Sequence, residues 1–163
     1  EPLGMRIGIN SGRAIAGNIG TPKVFNYTVM GDCVNLAARL ESANKFYGTR
    51  ILVGADTRHR VSDAFAFRHL DRVAVKGKSE AVDIFEVLGP SASLDAARQA
   101  QVAAYEQALG EYLQGRFAVA EPAFAALAAA HDDAAARLLA SRCREFIASP
   151  PDAWDGTYTW RSK

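Results

Sequence analysis

The stretch Tyr27-Thr28-Val29-Met30-Gly31-Asp32-Cys33-Val34-Asn35-Leu36-Ala37-Ala38-Arg39-Leu40-Glu41 decides how this 163-residue chain reads. A glycine-bearing turn runs into a helix expected over residues 32–47, with Asp32 as N-cap and Gly48 as the C-terminal stop. Leu36, Leu40, Ala43 and Tyr47 step by four, three and four and so form one apolar face. Asn35 and Arg39, four residues apart, share a helix face of their own. Arg39 offers a fork of donors suited to phosphate oxygens, and Asn35 can orient a sugar or a nucleophile's oxygen. Such a pair suits phosphoryl chemistry, in which catalysis is mostly positioning and charge stabilisation. In isolation the pair would read as an exposed helix surface, with Arg39 bridged to a nearby carboxylate.

Upstream, Met5, Ile7 and Ile9 alternate with Arg6, Gly8 and Asn10, the pattern of a half-buried strand. Ser11-Gly12 supplies a turn, and residues 14–19 are expected as the returning strand of a hairpin. Residues 21–27 read as a loop. Downstream, a short strand over 50–53 precedes a short helix over 55–61. Two more strands follow over 67–75 and 82–88, joined through Lys76-Gly77-Lys78. Composition then shifts near Gly89-Pro90, from Val, Ile, Phe and Gly to Ala, Leu, Gln and Glu. An α+β or α/β segment joined to an all-helical one is expected, with divisions at 1–89, 90–148 and 149–163. The helical part spans two or three helices. Its spacing of Ala108, Tyr112, Gly115, Phe117, Ala120, Phe124 and Leu127 resembles a tetratricopeptide repeat, with about one repeat visible. Residues 149–163 read as an extended tail, Trp154 and Trp160 serving as packing anchors.

The residues from Arg6 through Glu41, and less tightly to Val87, resemble the second half of the class III adenylate/guanylate cyclase catalytic domain. The fold this implies is α+β: a partial ferredoxin-like cyclase domain followed by a small all-α helical-hairpin tail. The resemblance assigns the transition-state roles to Asn35 and Arg39. Thr28, seven residues before Asn35, falls at the purine-selecting position, where Asp or Thr accompanies ATP and Cys accompanies GTP. Lys76 resembles a lysine that contacts the substrate's triphosphate.

The implied reaction of the parent enzyme is ATP to 3′,5′-cyclic AMP and pyrophosphate, with Mg²⁺ or Mn²⁺. The two metal-binding Asp of the family belong to the first half of the domain, which this chain lacks, so no metal ligand is assigned here. Asp32, Asp56, Asp63, Asp71 and Asp83 do not match those positions. The family's site forms at a dimer interface, which implies a homodimer and a fragment inactive alone. The rival reading is a degenerate cyclase half whose helical tail binds a peptide or a regulatory segment.

Composition narrows the remaining classes. A net charge of +1 gives no broad electrostatic case for nucleic acid or an anionic membrane. No apolar run approaches the roughly 20 residues of a membrane helix, so no membrane contact by this chain is expected. The parent could still be anchored through a preceding region. The opening Glu1-Pro2, without a signal-peptide pattern, reads as a piece of a longer protein. Cys33 and Cys143 lie far apart, which fits reduced thiols in the cytoplasm. His59, His69 and His131 are scattered and read as surface or boundary residues.

Overall fold

The computed structural model describes residues 4–21, 24–74 and 81–160. Its elements are β1 (Ile7–Ile9), β2 (Ile15–Thr21), β3 (Val24–Met30), α1 (Asp32–Tyr47), β4 (Ile51–Gly54), α2 (Ala55–Arg60), β5 (Phe65–Ala74) and β6 (Ala81–Pro90). A single 3₁₀ turn, Ser91–Ser93, leads to α3 (Ala96–Leu113), α4 (Phe117–His131), α5 (Ala134–Ala148) and a last short strand, β7 (Tyr158–Thr159). The class is α+β, as the sequence implied. A five-stranded mixed sheet runs β1-β4-β6-β5-β7, and β2 and β3 form a separate two-stranded ribbon.

The expected hairpin between the first two strands is not what forms. β1 pairs in parallel with β4, Ile7 opposite Ile51 and Ile9 opposite Val53. β2 turns back on β3 instead, in antiparallel register from Thr21 opposite Val24 to Ile15 opposite Met30. Residues 24–27, read as loop, are therefore strand. Val24, Phe25, Tyr27 and Val29 have the β-branched and aromatic side chains that favour a pleated strand. Gly8 explains why β1 stays in the sheet. A Cβ there would run into the carbonyl oxygen of Ala37 and the amide nitrogen of Glu41, so β1 and α1 touch backbone to backbone.

α1 spans the residues expected of it, with one correction at its start. Gly31, not Asp32, is the N-cap, and no side chain caps the helix there. Gly31 has φ +151, a value open to glycine, which lets the chain turn from β3 straight into the helix. Asp32 sits in the first turn, where its charge complements the helix dipole. Gly48 closes the helix in the left-handed conformation. Leu36, Leu40, Ala43 and Tyr47 are buried, as their spacing required.

The three C-terminal helices do not stand apart. One continuous core joins Leu36, Leu40 and Tyr47 of α1 and Leu52, Leu70 and Val73 of the sheet to Tyr105, Leu109, Phe124 and Leu139 of the helices. Small residues at Ala108 and Ala120 are fully packed, and Tyr105 meets Phe124 edge to face at 5.2 Å. The tail is not simply extended. Trp154 is inserted among Tyr112, Phe117 and Phe146, and its indole nitrogen donates to the Leu113 carbonyl at 3.1 Å. β7 then adds to the edge of β5 in parallel, Val73 opposite Tyr158.

Candidate functional site

α1 carries Asn35 and Arg39 one turn apart, Asn35 exposed and Arg39 half-buried. Among the described residues neither side chain has a hydrogen-bond or ion-pair partner, so the bridge from Arg39 to a neighbouring carboxylate that an isolated pair would suggest is not seen there. Thr28 lies on β3, opposite Gly17 in the ribbon and exposed. It stands three residues ahead of the glycine that starts α1, so ribbon and helix reach the same end of the molecule. Lys76 lies outside the described residues.

The N-terminal end of α1 is held by contacts from the loop after β1. The Asn10 amide donates to the Cys33 carbonyl at 3.3 Å, and the Cys33 thiol to the Arg13 carbonyl at 3.1 Å. Ser11 and Thr57 share a hydroxyl–hydroxyl bond of 3.0 Å. These groups border an open cleft of about 570 Å³ lined by Asn10, Arg13, Asp32, Asp56 and Asp83 among others. Asn35, Arg39 and Thr28 do not line it. No group of three His, Cys, Asp or Glu side chains able to hold a metal occurs among the described residues. The residues described here thus do not fit a divalent-cation site, and no chemical step is derived through one.

The far end of α1 is fixed by polar contacts that the sequence does not show. Asn44 is fully buried. Its amide donates to the Ile7 carbonyl at 3.0 Å and its oxygen accepts from Thr49 at 2.8 Å, which stitches α1 to β1. The Tyr47 hydroxyl donates to the Asp71 carboxylate at 2.6 Å, and Arg142 of α5 pairs with the same carboxylate. Burial, reinforced by the Asp71 charge, pushes the Tyr47 pKa well up, so this hydroxyl remains a donor. Burial works against the Arg142 charge, but the facing Tyr47 oxygen and Asp71 carboxylate outweigh it and hold the pKa above the usual arginine value.

A second clamp joins Arg68 of β5 to Glu86 of β6 and to Asp133, the N-cap of α5. A buried Asp in a strand gives little signal in sequence. Here a register shift between His69 and Asp71 turns Asp71 inward.

Comparison with known proteins identifies the family. The profile of the family described as the adenylate and guanylate cyclase catalytic domain matches residues 1–87. The chain belongs to that family. It is 44% identical over 84 residues to adenylate cyclase 1 of Rhizobium meliloti, covering 52% of this chain and 13% of that protein. It is 46% identical over 85 residues to the terminal-differentiation-specific adenylate cyclase of Dictyostelium discoideum, covering 50% and 4%. The chain therefore spans a small part of the length of these relatives. Among solved structures, the adenylyl cyclase CyaB from P. aeruginosa aligns with TM-score 0.47 and 36% identity, over 55% of this chain and 45% of that one.

Proposed function

We propose that this chain is part of an adenylate cyclase that converts ATP to 3′,5′-cyclic AMP and pyrophosphate in the cytoplasm. In this reading the ribose 3′-oxygen attacks the α-phosphorus and the pyrophosphate oxygen leaves. Asn35 orients the ribose, and Arg39 stabilises the charge that develops on the α-phosphate. Thr28 reads the adenine edge, and Lys76 contacts the triphosphate. The observation that carries the reading is the pairing of Asn35 and Arg39 on one face of α1, both without a side-chain partner among the described residues, inside the stretch matched to cyclases. A half-buried guanidinium that meets no carboxylate among the described residues is suited to an incoming phosphate.

A homodimer completes the proposed site. The apolar ribbon supports this: Ile15 is 75% exposed and Tyr27 74%, with Val29 and Met30 beside them. Divisions at 1–89, 90–148 and 149–163 remain our reading of the chain's organisation, with the helical part dependent on the first. The rival reading, a degenerate cyclase half whose helical tail binds a peptide or a regulatory segment, gains no support from helices that share one core with the sheet.

The test uses the full-length enzyme. Arg39→Ala and Asn35→Ala are each expected to lower kcat about 100-fold with little change in KM, as befits contacts that tighten in the transition state. ATP is expected to be used with higher kcat/KM than GTP, and residues 1–163 alone are expected to make no cyclic AMP. Near-normal kcat in both variants would remove the assignment, and a preference for GTP would reverse the reading of Thr28.

A further inference from the structure

Four elements converge on one buried point at the C-terminal end of α1. Tyr47 comes from α1, Asp71 from β5, Arg142 from α5, and Tyr158 and Trp160 from the end of the chain. Asp71 is fully buried and takes both the Tyr47 hydroxyl and the Arg142 guanidinium on one carboxylate oxygen. Arg142 also reaches the Tyr47 oxygen at 3.4 Å, as does the Trp160 indole nitrogen. The guanidinium carbon lies 3.5 Å from the centroid of the Tyr158 ring and 5.7 Å from that of Tyr47. The Trp160 amide donates to the Ala74 carbonyl at 3.3 Å, which fixes the tail to β5.

Burying ions in this way is seldom the most stabilising solution, since apolar side chains of similar volume often do as well. What such a cluster supplies is direction: hydrogen bonds and a stacked guanidinium admit one arrangement, whereas apolar packing tolerates many. Direction matters for α1. Its N-terminal end has no side-chain cap, leads into an exposed ribbon and is tied to the loop after β1 through Cys33, by hydrogen bonds with Asn10 and Arg13. Its C-terminal end carries Asn44 and Tyr47, both fully held. Arg39 precedes Tyr47 by eight residues, about 12 Å along a helix, so a tilt or roll at Tyr47 is carried to Arg39.

We propose that Arg142 is a positioning residue for the face of α1 that presents Asn35 and Arg39. The inference rests on the catalytic reading of those two residues. It makes α5 and β7 part of the catalytic unit and gives the C-terminal segment a role in the reaction that no peptide partner is needed to explain.

The test compares Arg142→Met, the milder Tyr158→Leu and Arg39→Ala in the full-length enzyme. Arg142→Met is expected to lower kcat about 10-fold with KM unchanged, the signature of misplacement rather than lost binding. Tyr158→Leu, which keeps the ion pair but removes the ring under it, is expected to give a smaller loss of the same kind. Hydrogen exchange on the same proteins should quicken at the amides of residues 40–47 and stay unchanged across α3. If Arg142→Met does not fold, Tyr158→Leu decides by the same two readouts. Unchanged kcat, a loss in KM alone, or exchange that rises uniformly through the protein overturns the positioning role. If Arg39→Ala also keeps its kcat, the catalytic reading of α1 has failed, and the positioning role falls with it.

Discussion

At the scale of single residues, the sequence puts Asn35 and Arg39 on one helix face because a helix of 3.6 residues per turn leaves little choice. Once residues 32–47 are helical, residues four apart share a face. It had no means of showing what lies opposite a glycine. Gly8 reads as a position in an alternating strand that permits close backbone approach, and the structure shows that the backbone of α1 fills the space where a side chain would stand. Gly8→Ala is therefore expected to force β1 and α1 apart and to destabilise the protein by about 3 kcal/mol, at the upper end of overpacking costs. Urea denaturation would show this as a lower midpoint with an unchanged slope. A midpoint equal to that of the parent chain would mean the contact relaxes without cost.

At the scale of elements, boundaries followed from local chemistry and pairings did not. α1, β4, α2, β5 and β6 all form close to where periodicity and glycine placed them. The partner of β2 was misassigned, because a turn signal at Ser11-Gly12 says nothing about which strand the returning chain meets. The helix starts show the same division. Asp133 caps α5 by accepting from the Ala136 amide at 3.1 Å, a contact between residues three apart. The same carboxylate also neutralises Arg68, which is 3% exposed, 65 residues earlier in the chain. Asp133→Ala is expected to cost about 3 kcal/mol, because it removes a cap and leaves Arg68 with Glu86 alone. Adding Arg68→Met in the same chain should recover part of that loss. A cost below that of an ordinary lost cap, about 1 kcal/mol, would show the ion pair to be dispensable.

At the scale of the whole molecule, the helices complete the sheet's core. Removing everything after Gly89 would uncover Tyr47, Leu70 and Val73, all fully buried in the intact chain. It would also strip β5 of its neighbour β7 and leave Asp71 without Arg142. The shortened chain is expected to lose its near-ultraviolet circular dichroism and to aggregate. The intact chain, with its apolar ribbon still exposed, is expected to scatter light as a dimer that dissociates on dilution. Tyr27→Lys should shift that equilibrium to monomer. A shortened chain that stays soluble, folded and monomeric would contradict the view that the two parts share one core.

What the sequence determined by itself is local. Helix periodicity, the glycine that ends α1 and the motif from Tyr27 to Glu41 depend on neighbours within a few residues, and so they are legible without a fold. The family resemblance rests on that motif and its flanks, from Arg6 through Glu41 and less tightly to Val87. The tertiary structure alone decided that β1 joins β4, that β2 and β3 stand out as a ribbon, and that the C-terminal strand returns to β5. It also brought Tyr47, Asp71 and Arg142 together from positions up to 95 residues apart. Each of these depends on which distant surfaces bury one another. That is set by the free energy of the assembled core, to which any short window of sequence contributes only a part.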